Sequence, residues 1–129
     1  MITIGKPAPA FTLDDQSGAT HSLQDLKGKH TLIYFYPKDD TPGCTAQACS
    51  LRDNLEDLKE LGVEVYGVSG DSVESHKKFA EKYKLPFPVL ADPDKAMIEA
   101  YGAYGERSMY GRKFMGIIRS AVLIGPDLN

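Results

Sequence analysis

TLIYFYPKDDTPGCTAQAC, residues 31–49, starts with an apolar strand candidate and ends with the second of the chain's two cysteines. The apolar run 31–36 is typical of a strand buried on both faces, at the centre of a sheet. A loop rich in Pro, Gly and Thr follows, and Cys44 opens a predicted helix. A helix N-terminus carries partial positive charge and unpaired N–H groups, which stabilise a thiolate. The stretch therefore predicts a strand, a loop and a helix that presents a reactive cysteine.

The segments that follow predict a parallel strand-helix-strand unit. The helix from Cys44 is expected to run to about Leu61, and residues 63–69 form the next strand candidate. A connection of this length implies a right-handed crossover. Gly62 is a good C-terminal stop for the helix. Its buried stripe is expected to be Leu51, Leu55, Leu58 and Leu61.

The rest of the chain completes an α/β pattern with a mixed sheet. Asp71 and Glu74 could form a capping box for a helix over residues 72–84. A bend is expected near Gly116. The other predicted elements are an N-terminal β-hairpin with strands at 11–13 and 20–23, a short helix that ends near Gly102, and late β structure at 113–118 and 119–124.

Bulk composition favours one soluble domain over residues 1–129. Hydrophobic residues make up 42% and charged residues 26% of the 129 positions. The net charge of −3 and the pI near 5.6 suggest neither a nucleic-acid partner nor a membrane surface. The first ten residues lack the basic-then-apolar pattern of a signal peptide, so a cytoplasmic location is expected. Two cysteines are too few for a disulfide scaffold.

The spacing of Cys44 and Cys49 restricts how the two could pair. Five helical residues separate their Cα atoms by about 8.7 Å, whereas a disulfide needs less than about 7 Å. If both lie in the helix, a bond between them requires local unwinding, which suits a bond that is made and broken. A pair of inert buried cysteines is the plainer alternative, and a zinc site lacks ligands. The histidines, at positions 21, 30 and 76, are expected at the surface or at strand edges.

Several motifs resemble the peroxiredoxins, and within them the bacterioferritin comigratory protein, or Q-type, subgroup. The signature Pro-x-x-x-Thr-x-x-Cys is present as Pro37, Thr41 and Cys44. Residues 110–116 and 119–124 are similar to the segment that carries the family's active-site arginine. The resemblance covers nearly the whole chain.

The resemblance implies a thioredoxin-like fold and thiol-dependent reduction of hydrogen peroxide and organic hydroperoxides. By position, Cys44 is the peroxidatic cysteine and Cys49 the resolving cysteine. Thr41 and Arg119 are the partners of the thiolate and the peroxide, and Pro37 shapes the pocket. The intramolecular disulfide would be reduced by thioredoxin or a similar dithiol protein. The resemblance implies no cofactor or metal, and a monomer more readily than a dimer.

This chain also departs from the family pattern. Gln47 stands where the subgroup often has Glu, so we expect a neutral hydrogen-bonding partner for the arginine. Ala121 and Gly125 replace the usual Thr and Asp. The C-terminal strand and helix of the family are missing from this sequence, so exposed apolar surface is expected on the last helices and sheet face. Two other readings stay open: a thiol–disulfide oxidoreductase, although Cys-x-x-Cys is absent, and a redox sensor without turnover.

Overall fold

Eight strands and four α-helices lie in the part of the chain that the computed structural model describes, residues 8–39, 42–109 and 112–125. A 3₁₀ turn spans Leu23–Leu26. The strands are β1 (Thr12–Asp14), β2 (Thr20–Ser22), β3 (His30–Phe35), β4 (Val63–Ser69), β5 (Val89–Ala91), β6 (Tyr104–Met109), β7 (Arg112–Ile117) and β8 (Ser120–Ile124). The helices are α1 (Pro42–Asp53), α2 (Leu55–Glu60), α3 (Val73–Tyr83) and α4 (Ala96–Ala100).

A four-stranded mixed sheet, in the order β5-β4-β3-β8, organises these elements. β3 is parallel to β4, and β4 is parallel to β5, whereas β8 runs antiparallel to β3. The prediction of a mixed sheet with a central apolar strand is confirmed. β1 and β2 form the predicted N-terminal hairpin. β6 and β7 form a separate two-stranded ribbon.

Alternate residues of β3 enter two different cores, because successive side chains of a strand point to opposite faces. Ile33 and Phe35 belong to the core that contains Ile98 of α4. Tyr34 belongs to the second core, which contains Ala48 of α1 and residues of α3. The helix with both cysteines therefore packs on one defined face of the sheet.

The helix predicted after Cys44 is wrong in two respects. It begins at Pro42, and it is interrupted at Asn54, so that α1 and α2 are separate helices. The Asn54 side chain donates to the carbonyl of Ser50 at 2.8 Å, a local bond of the kind that competes with regular helix. Leu55 is buried at the start of α2, but Leu61, which follows its last residue, is 74% exposed. Leu61 does not belong to the buried stripe.

The cap predicted for α3 is also wrong, although the helix itself is confirmed. Ser72 is the N-cap, and its hydroxyl accepts from the N–H of Ser75 at 3.1 Å. The carboxylate of Asp71 instead accepts from the Ser69 hydroxyl at 2.7 Å and from the N–H of Asp39 at 2.8 Å. Asp71 therefore ties two loops together.

The late β structure differs in detail from the prediction. β5 and β6 were not expected, and the predicted bend near Gly116 falls two residues later, because Gly116 pairs with Gly105 inside the ribbon. β8 lies at the edge of the described sheet, and its Leu123 is 60% exposed. Among the described helices, none has the length and apolarity that a membrane span requires.

Candidate active site

Cys44 occupies the third position of α1, in the first turn of the helix. The first four N–H groups of a helix have no partner within it, and they give this end a partial positive charge. The first turn contains no acidic side chain to offset that charge. The Cys44 side chain is only 1% exposed and packs in the core with Tyr34 and Ala48. The thiol therefore lies in an electropositive, largely dry environment.

Arg119 supplies a fixed positive charge at the sulfur. Its Nη2 donates to the Sγ of Cys44 at 3.1 Å, and its Nη1 donates to the Oε1 of Gln47 at 2.6 Å. The sheet topology explains why Arg119 and Cys44, 75 positions apart in the sequence, are in contact. β8 pairs with β3 so that Ser120 is opposite Phe35, which brings residue 119 to the end of β3 where α1 begins. The expected neutral partner for the arginine is confirmed as Gln47.

Gly43 lets the guanidinium lie against the helix backbone. A Cβ added at this glycine would lie 3.2 Å from Nη2 of Arg119, which is tighter than ordinary contact. A side chain here would shift the guanidinium by a few tenths of an ångström. The close approach thus depends on the absence of a side chain at position 43.

The remaining predicted site residues are less directly placed. Both cysteines are free thiols, and Cys49 is half-buried in the same helix as Cys44. The condition for local unwinding, that both lie in one helix, is therefore met. Pro37 is half-buried in the loop after β3. Thr41 lies outside the described residues.

A buried polar cluster next to the site was not predicted. His76, expected at the surface or a strand edge, is 0% exposed, so that expectation is wrong. Its Nδ1 lies 2.6 Å from Oδ2 of Asp39, and Asp39 also accepts from the hydroxyls of Tyr36 and Ser75 at 2.5 and 2.8 Å. The signal that could have found His76 is helical spacing, since it shares the buried face of α3 with Phe79 and Ala80.

The other histidines differ from His76 in exposure. His30 is exposed at the start of β3, as predicted. His21 is half-buried in the hairpin, where its Nε2 lies 2.7 Å from Oδ2 of Asp15.

One group of side chains has the atom types of a metal site. The candidate ligand atoms of Asp39, Asp71 and His76 lie within 4.8 Å of one another. All three are already engaged in hydrogen bonds, and the distance between His76 and Asp39 is that of a hydrogen bond. The geometry therefore favours a network within the protein over a bound ion.

Two tyrosines of β3 and the loop after it complete the surroundings of the thiol. Burial, and then the charges of Asp39 and Cys44, raise the pKa of Tyr34 well above its ordinary value. Burial and the Asp39 carboxylate do the same for the pKa of Tyr36. Both phenols are therefore neutral. The Tyr34 hydroxyl has no hydrogen-bond partner within the described parts of the chain.

This fold, together with an arginine that donates to a cysteine at the start of a helix, defines the class of protein. Residues 4–129 match the AhpC/TSA family, and the chain belongs to that family. Its solved neighbours have the thioredoxin-like peroxiredoxin fold, which confirms the fold class expected from the resemblance.

Individual relatives specify the subgroup. The chain is 48% identical to Peroxiredoxin Bcp of Escherichia coli K12 over 126 residues, which is 98% of this chain and 81% of the relative. It is 46% identical to Peroxiredoxin Bcp of Bacillus subtilis 168, with 98% and 80% covered. A cysteine mutant of Xylella fastidiosa PrxQ superposes with a TM-score of 0.91 at 32% identity, covering 98% and 81%. A Xanthomonas campestris Peroxiredoxin Q mutant gives 0.85 at 38%, covering 91% and 74%. The Q-type resemblance is confirmed.

Proposed function

We propose that this protein is a thiol-dependent peroxidase that reduces hydrogen peroxide and organic hydroperoxides through Cys44. The observation that carries the proposal is the 3.1 Å contact between Nη2 of Arg119 and Sγ of Cys44. A guanidinium and a helix N-terminus together favour the thiolate, which is the nucleophilic form of cysteine. The bacterioferritin comigratory protein of Xanthomonas campestris, a structural neighbour, has alkyl peroxide reduction activity, which supports the substrate class.

The first step oxidises Cys44. Its thiolate attacks one oxygen of the hydroperoxide, so that an S–O bond forms as the O–O bond breaks. The second oxygen leaves with the electron pair and takes up a proton, giving water or an alcohol, and Cys44 becomes a sulfenic acid. Arg119 would stabilise the negative charge that develops on the leaving oxygen. Thr41 is proposed as a second donor, and Pro37 as a wall that limits water.

The second step joins the two cysteines. The Cys49 thiol attacks the Cys44 sulfenic sulfur, a disulfide forms, and water leaves. Since α1 holds both residues at helical spacing, its N-terminal half must unwind before the sulfurs meet. A dithiol protein, thioredoxin or one like it, then reduces the disulfide and is itself oxidised. We also propose that the protein is a monomer and is located in the cytoplasm. Sedimentation at working concentration tests the oligomeric state, and a dimer in that measurement would refute the monomer.

Intact-mass analysis tests this cycle. The reduced chain receives substoichiometric hydrogen peroxide, is quenched within seconds, and is compared with Cys44→Ser and Cys49→Ser. We expect the parent to lose two hydrogens, Cys49→Ser to gain one oxygen at Cys44, and Cys44→Ser to stay unchanged. Slow or absent oxidation of the parent would refute the peroxidase. Oxidation without turnover in the presence of a thioredoxin system would instead favour a redox sensor.

A further inference from the structure

The tautomer of His76 follows from its two contacts. Nε2 lies 2.9 Å from the carbonyl oxygen of Leu90, and a carbonyl can only accept, so Nε2 carries a hydrogen. In a neutral imidazole, Nδ1 would then carry no hydrogen and could only accept a hydrogen bond. Yet Nδ1 lies 2.6 Å from Oδ2 of Asp39, a distance that two unprotonated acceptors would not keep. A proton therefore lies between His76 and Asp39.

This shared proton leaves the buried pair without net charge. The other Asp39 contacts are donors to a carboxylate: the Tyr36 hydroxyl reaches Oδ1, and the Ser75 hydroxyl reaches Oδ2. Without the proton, one uncompensated negative charge would remain where His76 is fully buried, which is strongly unfavourable.

The charged groups around the pair do not replace that proton. The Asp71 carboxylate accepts from the Asp39 backbone and adds negative charge on the other side. Asp39 also lines a surface cavity of about 400 Å³ that contains Glu74, Lys78 and Lys82. Lys78 lies 3.9 Å from Glu74 on the exposed face of α3, where solvent screens both.

Asp39 stands three residues before Pro42, the first residue of the helix that carries Cys44. Its side chain is bonded to Tyr36 at the end of β3 and to Ser75 and His76 of α3, while its N–H is bonded to Asp71 after β4. Three parts of the fold thus hold Asp39, which lies close in sequence to the helix that carries Cys44.

We propose that His76 is a positioning residue: the proton that it shares with Asp39 holds the chain that enters α1, and so aligns Cys44 with Arg119. His76 touches neither sulfur nor peroxide, and its effect passes through Asp39. The proposal rests on the proposed peroxidase function and names a residue that prepares its site. An anchor at position 39 that satisfies the same partners without a shared proton should align Cys44 equally well.

Asp39→Asn provides such an anchor. Its amide oxygen accepts from Tyr36, and its NH₂ can donate to the neutral Nδ1 of His76 and to Ser75, so every partner stays satisfied. Asp39→Ala removes the anchor altogether. Asp15→Ala is the matched control, because Asp15 forms the chain's other described carboxylate–histidine pair, with His21 in the hairpin at 2.7 Å.

The experiment measures the rate constant of Cys44 oxidation by rapid quench and intact mass at pH 7. We expect Asp39→Ala to react about tenfold more slowly than the parent, because small misplacements of reacting groups have effects of this order. Asp39→Asn should stay within about twofold of the parent, and Asp15→Ala should match the parent.

Side-chain ¹⁵N NMR of His76 gives an independent reading. Both ring nitrogens should be protonated in the parent, and one should be unprotonated in Asp39→Asn. A bare ring nitrogen in the parent, an Asp39→Asn variant as slow as Asp39→Ala, or a folded Asp39→Ala that reacts at the parent rate would each overturn the proposal. A parent that consumes no peroxide would refute the peroxidase, whereas the NMR result would still decide whether the proton is shared.

Discussion

Helices α1 and α3 pack in the same core, but the side chains that they bury there differ in size. The fully buried side chains in the described part of α1 are small: Cys44 and Ala48, one turn apart. α3 buries His76 and the ring of Phe79, and its N-terminus is capped by Ser72. The first turn of α1 contains no acidic side chain, whereas that of α3 contains Glu74. The first turns of α1, before the partly buried Leu51, therefore have less apolar surface to expose if they unwind.

Because of this difference, the first turns of α1 can unwind more easily than α3. Unwinding the first turns of α1 exposes little more than a thiol and a methyl group, each a small loss of burial. α3 must keep its packing, because it holds the Asp39 anchor through Ser75 and His76. Disulfide formation is therefore expected to unwind α1 locally and to leave α3 intact.

The largest effect is expected at Phe79. Phe79→Ala should lower the free energy of unfolding by about 3–5 kcal/mol, because it removes a fully packed ring from the core under α3. Urea denaturation of the reduced chain measures this loss. Leu61→Ala is the control, since that side chain is largely exposed and should change stability by less than about 0.5 kcal/mol. Equal losses in the two variants would contradict the assignment of the core.

Arg119→Met should come next. It keeps an apolar stem but removes both guanidinium contacts, to Cys44 and to Gln47. The rate of Cys44 oxidation should fall about 10²–10³-fold, as when a charge-stabilising donor is removed from other active sites. Arg52→Met, which also loses hydrogen bonds but lies at the far end of α1, should keep the parent rate. A parent-like rate for Arg119→Met would show that the arginine does not contribute to the oxidation of Cys44.

Much of this architecture could be predicted from sequence because its signals are local. The apolar run of β3 and the Pro-Gly loop before Cys44 are continuous in the chain, and Arg119 was found through the family motif. The Asp39–His76 pair joins residues 37 positions apart, and no local pattern relates them. The break at Asn54 was missed because Leu51 and Leu55 continue a helical spacing across it.

A pair of alanines compares the two helices directly. Ala48→Gly and Ala80→Gly each place glycine at a buried helix position, and each should lower stability by about 1 kcal/mol. Only Ala48→Gly loosens α1, so only this variant should form the disulfide faster, by up to about fivefold. The measurement is the peroxide concentration at which half of Cys44 is over-oxidised, which should rise in Ala48→Gly alone. The same rise in Ala80→Gly would contradict a locally melting α1.

The smallest effect is expected at Tyr34. Its buried hydroxyl has no partner among the described residues, so Tyr34→Phe should leave the free energy of unfolding unchanged or raise it by up to about 1 kcal/mol. Tyr36→Phe is the matched control. Removal of its hydroxyl takes a donor from the Asp39 carboxylate and should destabilise the protein by about 1–3 kcal/mol. Thermal melts of both reduced variants decide the sign, and a loss for Tyr34→Phe as large as that for Tyr36→Phe would show that its hydroxyl is bonded.

Hydrogen exchange of the reduced and the peroxide-treated chain, read by mass spectrometry on peptides from α1 and α3, distinguishes local unwinding of α1 from a wider opening of the fold. We predict that α1 amides around Cys44–Cys49 lose protection in the disulfide form, while α3 amides around His76 and Phe79 keep theirs. Cys49→Ser, treated in the same way, should keep α1 protected because no disulfide can form. Retained protection of α1 in the disulfide form, or an equal loss of protection in α3, would contradict local unwinding of α1.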